Sequence, residues 1–227
     1  MSNENNNPRV ILLMGAPGSG KGTQSARLTS LLGIPSLSTG EILRAASMRE
    51  TVEGRSVRGI LASGALVDDQ TVCAAIASRL REELSSGGVI LDGFPRTVEQ
   101  ACFLDSVLAS MGLPAPTVVH IEVSCGSLLN RLTARRQCAT CGRIYNLHTC
   151  PSTLVDICES DGGHLQQRAD DNEETILRRF AEYEDRTSPV LAYYEDCDFH
   201  TIDGDADPED VAHAVLAAIP MELAVTA

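Results

Sequence analysis

Val10-Ile-Leu-Leu-Met14 runs straight into Gly15-Ala-Pro-Gly-Ser-Gly-Lys21-Gly22-Thr23. An unbroken apolar run that ends at a glycine predicts a strand buried on both faces. A glycine-rich turn that then opens a helix lets backbone N–H groups wrap a phosphate while the helix N-terminus adds positive potential. Side chains at Gly18 and Gly20 would block the approach of phosphate oxygens, and Lys21 reaches toward the outer phosphates. The GxxxxGK[ST] pattern misses by one place: Gly22 stands in the hydroxyl position and Thr23 follows it. This weakens the expectation that the loop itself ligates Mg²⁺.

Outward from this stretch the chain alternates. Short apolar runs predict further strands over 36–38, 89–92, 118–123 and 199–203. Helical patterns cover 22–32, 41–50, 69–85, 97–111, 127–136, 172–195 and 208–219, the last opened by Pro208 behind Asp207 as its cap. Strand–helix alternation implies an α/β fold with right-handed crossovers and a parallel, doubly wound sheet. Two stretches break the rhythm. Residues 41–67 are helix-rich without a strand, and 137–167 are Gly-, Cys- and polar-rich, too short to bury a core unaided. Both read as insertions at the C-terminal edge of the sheet, where such folds bind ligands.

With 43% hydrophobic and 22% charged residues over 227 positions, the chain is long and apolar enough for one globular domain. No apolar run approaches the ~18 residues of a membrane span. The first nine residues carry Glu4 and no apolar stretch, so neither an export signal nor a transit peptide is expected and the cytoplasm is the expected location. A net charge of −13 argues against nucleic acid or an anionic membrane as the main partner. Of the 18 basic residues Lys21 is the only lysine, so the one compact point charge falls inside the glycine loop.

Three of the 8 cysteines, Cys138, Cys141 and Cys158, share one short stretch. Cys138-Ala-Thr-Cys141 and Cys158-Glu-Ser-Asp161, each followed by a glycine, make two tight turns able to aim four ligands at a tetrahedral Zn²⁺. Cys150, His148 and His164 lie near enough to stand in for Asp161, and a Cys138–Cys158 disulfide is the alternative to a metal. Cys73, Cys102, Cys125 and Cys197 read as ordinary buried thiols.

Five segments together carry a resemblance: GAPGSGKGTQ at 15–24, LSTGEILR at 37–44, LDGFPRT at 91–97, RLTARR at 131–136 and RADDNEETILRR at 168–179. In this order and spacing the chain resembles the adenylate kinases, nucleoside monophosphate kinases of the long-lid type, over about 9–219. The resemblance implies a P-loop three-layer fold over 9–220, with an AMP-binding insertion at 38–67 and a zinc-binding lid at 134–171. The ends, 1–8 and 221–227, fall outside it as tails, the first expected to be disordered.

The resemblance further implies reversible transfer of the terminal phosphoryl group of MgATP to AMP, giving two ADP, by a monomer. Lys21, Arg131, Arg135, Arg168 and Arg179 would clasp the ATP phosphates and the moving group. Arg44 and Arg96 would hold the AMP phosphate, with Arg168 and Arg179 reaching it too, and Arg96 counts among the catalytic set. ATP would meet Gly18, Ser19, Gly20, Lys21, Gly22, Thr23, Arg135, Ile144, Tyr145 and Ala206, although Tyr145 suits lid packing equally well. AMP would meet Thr39, Ala65, Leu66, Val67, Gly93, Phe94, Pro95 and Gln100, whose amide matches both the donor and the acceptor edge of adenine. Asp92 would hold Mg²⁺ through water, or else cap a helix, and Asp170 and Asp171 would pair with arginines at the lid hinge, or cap the helix after them. In the metal-binding members the lid ion is structural Zn²⁺. The rival readings are another nucleotide pair on the same fold, or a silent nucleotide-binding module.

Overall fold

The computed structural model describes residues 9–220, so the tails at 1–8 and 221–227 lie outside the described residues. Five parallel strands form the central sheet in the order β2-β3-β1-β4-β8, with β1 (Arg9–Met14) in the middle. Its neighbours are β3 (Gly88–Asp92), where Leu12 is in register with Leu91, and β4 (Thr117–Glu122), where Leu12 meets Val118. β2 (Ser36–Ser38) and β8 (Asp198–Asp203) form the edges.

The period-two pleat of β1 explains its continuous apolar run. Val10, Leu12 and Met14 point into one core, while Ile11 and Leu13 point into the other. The first core is covered by α4 (Asp69–Ser86), α5 (Val98–Ser110) and α8 (Ser188–Tyr193), through residues such as Ile76, Leu80, Leu104 and Val190. The second is covered by α1 (Lys21–Leu32) and α9 (Pro208–Ala217), through Leu28, Val211 and Val215. Each such fully buried aliphatic side chain contributes roughly 1.5–3 kcal/mol. The result is a helix–sheet–helix sandwich whose strands all end at one edge, with the strand order branching on either side of β1. A crevice must open there.

Two excursions leave that edge. One consists of α2 (Thr39–Ser47) and α3 (Val52–Ser63), packed on each other. The other follows α6 (Cys125–Thr133) and is a small antiparallel sheet, order β6-β5-β7, from β5 (Arg135–Cys138), β6 (Ile144–Asn146) and β7 (Leu165–Gln166). α7 (Glu173–Glu182) leads back to the core.

The structure departs from the expected elements in three places. The helix expected over 127–136 stops at Thr133, because Arg135, Arg136 and Gln137 pair with Asn146, Tyr145 and Ile144 as a strand. The helix expected over 41–50 begins at Thr39 and ends at Ser47, with a second helix after it. The long helix expected over 172–195 is three pieces: α7, a π-helical turn at Tyr183–Thr187, and α8. Pro189 explains the last. It lacks an N–H and its ring would strike the carbonyl four residues back, so the backbone widens by one residue before α8.

Candidate active site

The loop after β1 closes on its own lysine. Lys21 Nζ donates to the Gly15 carbonyl at 2.6 Å, the Ala16 carbonyl at 2.9 Å and Ser19 Oγ at 3.4 Å. Gly20 sits at φ +100° with no atom within 4 Å of where a Cβ would stand, so the space over the helix N-terminus is free for a ligand. Gly18 is constrained otherwise: a Cβ there would fall 2.8 Å from Leu132 Cγ of α6. Ser19 is buried, while Gly22 and Thr23 are exposed at the first turn of α1. Burial lowers the Lys21 pKa to about 8, with Arg96, Arg179 and Arg135 pushing the same way and Asp92 opposing them.

Asp92 ends β3 and faces α1. A Cβ on Gly22 would stand 3.5 Å from its Oδ2. The absent hydroxyl side chain therefore leaves room between the loop and this carboxylate, which suits a hydrated Mg²⁺ arriving with a nucleotide. The helix-cap alternative does not hold, since α5 is capped by Thr97, whose Oγ1 accepts from Gln100 N at 3.2 Å.

A narrow cleft lies between the first excursion and β3, lined by Thr39, Leu66, Val67, Gly93, Arg96 and Gln100 among others. Ala65 also lines it, and Phe94 and Pro95 are buried behind it. The Gly93 carbonyl accepts from Thr39 Oγ1 at 2.6 Å and from Arg96 Nε at 2.8 Å, which ties α2 to the end of β3. Gln100 Oε1 accepts from Arg96 N at 2.8 Å, and its Nε2 donates to Asp69 Oδ1 at 2.7 Å. Each end of the amide keeps one further valence.

Over this floor the arginines gather around two acids. Asp171 is fully buried and accepts from Arg135 Nε at 2.8 Å, with a second bond from Arg135 Nη2; Arg179 Nη1 lies 3.3 Å from it and 3.0 Å from Asp170. Asn172, not either acid, caps α7, so the hinge-pairing alternative describes both aspartates. Arg168 Nε donates to Gln137 Oε1 at 2.6 Å. Burial and mutual repulsion push Arg96 down to about 10 and Arg168 to about 9, and lower Arg44 and Arg179 as well. All stay charged at neutral pH. Lys21, Arg44, Arg96, Arg135, Arg168 and Arg179 thus feel one another's field across a site with only a few carboxylates to offset it.

Two predicted residues stand apart from this group. Arg131 donates to the Gly204 carbonyl at 2.7 Å, in the turn after β8 that also carries Ala206. Tyr145 is only 3% exposed, with its hydroxyl 3.3 Å from Cys158 Sγ and accepting from Glu159 N at 3.0 Å. Its ring is part of the core of the small sheet, so lid packing describes it and nucleotide contact through the ring does not. Ile144 precedes it on β6, half-buried.

At the far end of the small sheet, Cys138, Cys141, Cys158 and Asp161 hold their ligand atoms within 4.8 Å of one another. The two turns are alike. Gly142 N donates to the Cys138 carbonyl at 3.1 Å and Gly162 N to the Cys158 carbonyl at 2.9 Å, while Cys138 Sγ accepts from the amides of Thr140 and Cys141 at 3.4 and 3.5 Å. All eight cysteines are free thiols, and Cys150, His148 and His164 are outside the cluster; against expectation, Cys102 and Cys125 are exposed and Cys73 and Cys197 only half-buried, since they fall on the outer faces or edges of their elements. Three sulfurs and a carboxylate at these separations fit a tetrahedral metal site without an open position. Asp161 is held down to about 2, chiefly by the Gly163 amide, and is a ready anionic ligand.

Sequence reasoning missed Asp69, which also accepts from Thr97 Oγ1 at 2.9 Å, and Gln137, the partner of Arg168. Both act across 28 or more residues of chain, and no local spacing announces such contacts.

The family model described as adenylate kinase matches residues 13–199. The adenylate kinase of Citrifermentans bemidjiense is 46% identical over 210 residues, covering 92% of this chain and 98% of that one. That of Geobacter sp. (strain M21) shows the same identity and coverage. The adenylate kinase of Bacillus cytotoxicus is 41% identical over 198 residues, 87% of this chain and 92% of its own.

Proposed function

Since the chain belongs to the adenylate kinase family, we propose that the cations gathered above its phosphate loop hold two nucleotides end to end while a phosphoryl group passes between them. The reaction is the reversible transfer of the terminal phosphoryl group of ATP to AMP, giving two ADP. The convergence of Lys21, Arg44, Arg96, Arg135, Arg168 and Arg179 in one mutual field carries this reading.

Bringing two polyanions together and spreading charge over a moving phosphoryl group calls for positioning and neutralisation, with no covalent step on the protein. Lys21 and the amides of 18–23 take the donor phosphates, and Arg135, Arg168 and Arg179 surround the group in flight. Arg44 and Arg96 take the acceptor phosphate. Thr39, Gln100 and the backbone of 65–67 hold the acceptor base in the apolar cleft. Arg131, bonded to the Gly204 carbonyl, and Ala206 on the same turn take the nucleoside end of the donor, in place of the phosphates first expected of Arg131. Magnesium, when it arrives with ATP, offsets phosphate charge, and Asp92 opposite Gly22 would hold it through water. Residues 38–67 and 134–171 act as the two closing pieces, excluding water that would otherwise hydrolyse ATP.

In the lid, Cys138, Cys141, Cys158 and Asp161 would hold a structural Zn²⁺, supported by their soft donors and paired turns. The same thiols must stay reduced to bind it, which fits a cytoplasmic setting. A monomer is the proposed state, and the net charge of −13 disfavours nucleic acid as a partner. No helix of the described residues is long and apolar enough to cross a membrane. A coupled assay of purified protein with MgATP and AMP tests the whole reading: ADP should form only when both are present, and its absence across pH and metal conditions would overturn it.

A further inference from the structure

Asp69 opens α4 and does not line the phosphate site, yet it touches two buried groups at the acceptor cleft. Its Oδ1 accepts from Gln100 Nε2 at 2.7 Å and from Thr97 Oγ1 at 2.9 Å. Arg186, carried on the π-helical turn, lies 3.7 Å from the other carboxylate oxygen. On the opposite side of the same amide, Arg96 N donates to Gln100 Oε1 at 2.8 Å. Gln100 is 2% exposed, so no water competes freely for these positions.

A primary amide can turn over and exchange its oxygen and nitrogen. Here the turned amide would set Oε1 against a carboxylate and Nε2 against a backbone N–H, two repulsions in place of two bonds. The orientation is therefore fixed, and so is the pattern the amide shows to the cleft: one N–H from Nε2 and one lone pair from Oε1. Adenine complements it with its N1 acceptor and 6-amino donor. A 6-oxopurine offers the reverse, an N1–H donor and an O6 acceptor, and would suit only the turned amide.

We infer that Asp69 is the positioning residue that sets acceptor-base specificity, by locking the Gln100 amide in the orientation that selects a 6-aminopurine over a 6-oxopurine. The inference rests on the reading that Gln100 faces the acceptor base. Arg186 on the π-helical turn stands on the far side of the carboxylate, 3.7 Å from Oδ2, and favours that placement.

The test compares AMP with inosine monophosphate as acceptors for wild type, Asp69→Asn, Asp69→Glu and Gln100→Ala. The Asp69→Asn side chain accepts either face of the Gln100 amide and leaves only the Arg96 N–H to orient it, so the ratio of kcat/KM for AMP over inosine monophosphate should fall about threefold to tenfold. The loss should come mainly through the KM for AMP, with the KM for ATP within about twofold of wild type; Asp69→Glu restores part of the ratio by keeping the acceptor charge. An unchanged ratio in Asp69→Asn, with Gln100→Ala lowering it, overturns the role of Asp69 alone. An unchanged ratio in Gln100→Ala overturns the reading of the acceptor site beneath it. If Asp69→Asn does not fold, ¹⁵N relaxation of the Gln100 side-chain amide in wild type decides: a rigid amide supports the lock, and a freely turning one overturns it.

Discussion

Arg135 and Asp171 form a two-point ion pair in which the carboxylate is wholly buried and the guanidinium lies at the root of the lid. Arg179 approaches the same carboxylate from α7. This aspartate is the counter-charge to Arg135 and shares Arg179 with Asp170. Asp171→Asn should lower stability by about 3 kcal/mol, because it leaves the part-buried Arg135 guanidinium without its carboxylate while Arg179 keeps Asp170. A ligand carrying several phosphates supplies the missing charge, so the melting temperature of the variant should rise more on adding a bisubstrate analogue than that of wild type. Equal melting curves for the two free proteins would refute this.

Lys21 titrates near 8 in the free protein because burial and neighbouring arginines disfavour its charge. Bound phosphate favours the charged form and raises that value. Below pH 7 the ammonium is present before and after binding, and no proton moves on its account. Above pH 8, ATP binding must take up a proton, and affinity should fall by up to about tenfold per pH unit. Calorimetry in two buffers of different ionisation heat, at pH 7 and pH 9, reads the uptake directly. Lys21→Met should remove the uptake and slow turnover by roughly 10²-fold or more, with the fold unchanged by circular dichroism.

The small sheet has a meagre apolar core, built on Cys138, Tyr145, Cys158 and partly buried Leu165. Metal bound by the four lid residues would then act as folding energy for it. Purified protein should carry a single Zn²⁺ per chain by elemental analysis. Cys158→Ser or exhaustive chelation should remove it and lower the melting temperature by at least about 5 °C. Hydrogen exchange should quicken over 137–167 and remain slow in β1 and β4. Full lid protection in metal-free protein would count against the structural role.

Gly64, at φ +80°, brings the end of α3 against α7: a Cβ there would lie 3.1 Å from the Thr175 carbonyl and 3.2 Å from Arg179 Cγ. Gly64→Ala should cost about 1–3 kcal/mol. It should also raise the KM for AMP more than that for ATP, since the acceptor cleft is lined by the residues that follow. Steady-state kinetics with each substrate varied in turn checks the asymmetry.

The central sheet was legible because β1 and β3 are apolar on both faces and run out at Gly15 and Asp92, while β4 carries Val118, Val119 and Ile121 in one short run before Glu122. Lys21, Asp92 and the arginines were legible through the five motif segments. The lid strands were not, since Arg135-Arg-Gln-Cys138 has no apolar alternation and becomes a strand only by pairing across the metal turns. Tyr145 was ambiguous for the same reason, its side being decided by Cys158. Asp69 could not be seen at all, because its meaning comes from Thr97 and Gln100 on another helix.

With three carbonyl and hydroxyl partners already in hand, the lone lysine of the loop gives up old bonds for every new one it makes. The glycine turn thus keeps its shape between visits, and a departing nucleotide is replaced at once by the chain's own oxygens. Such a swap offsets part of what each new phosphate contact gains, so the lysine can hold a nucleotide without trapping it.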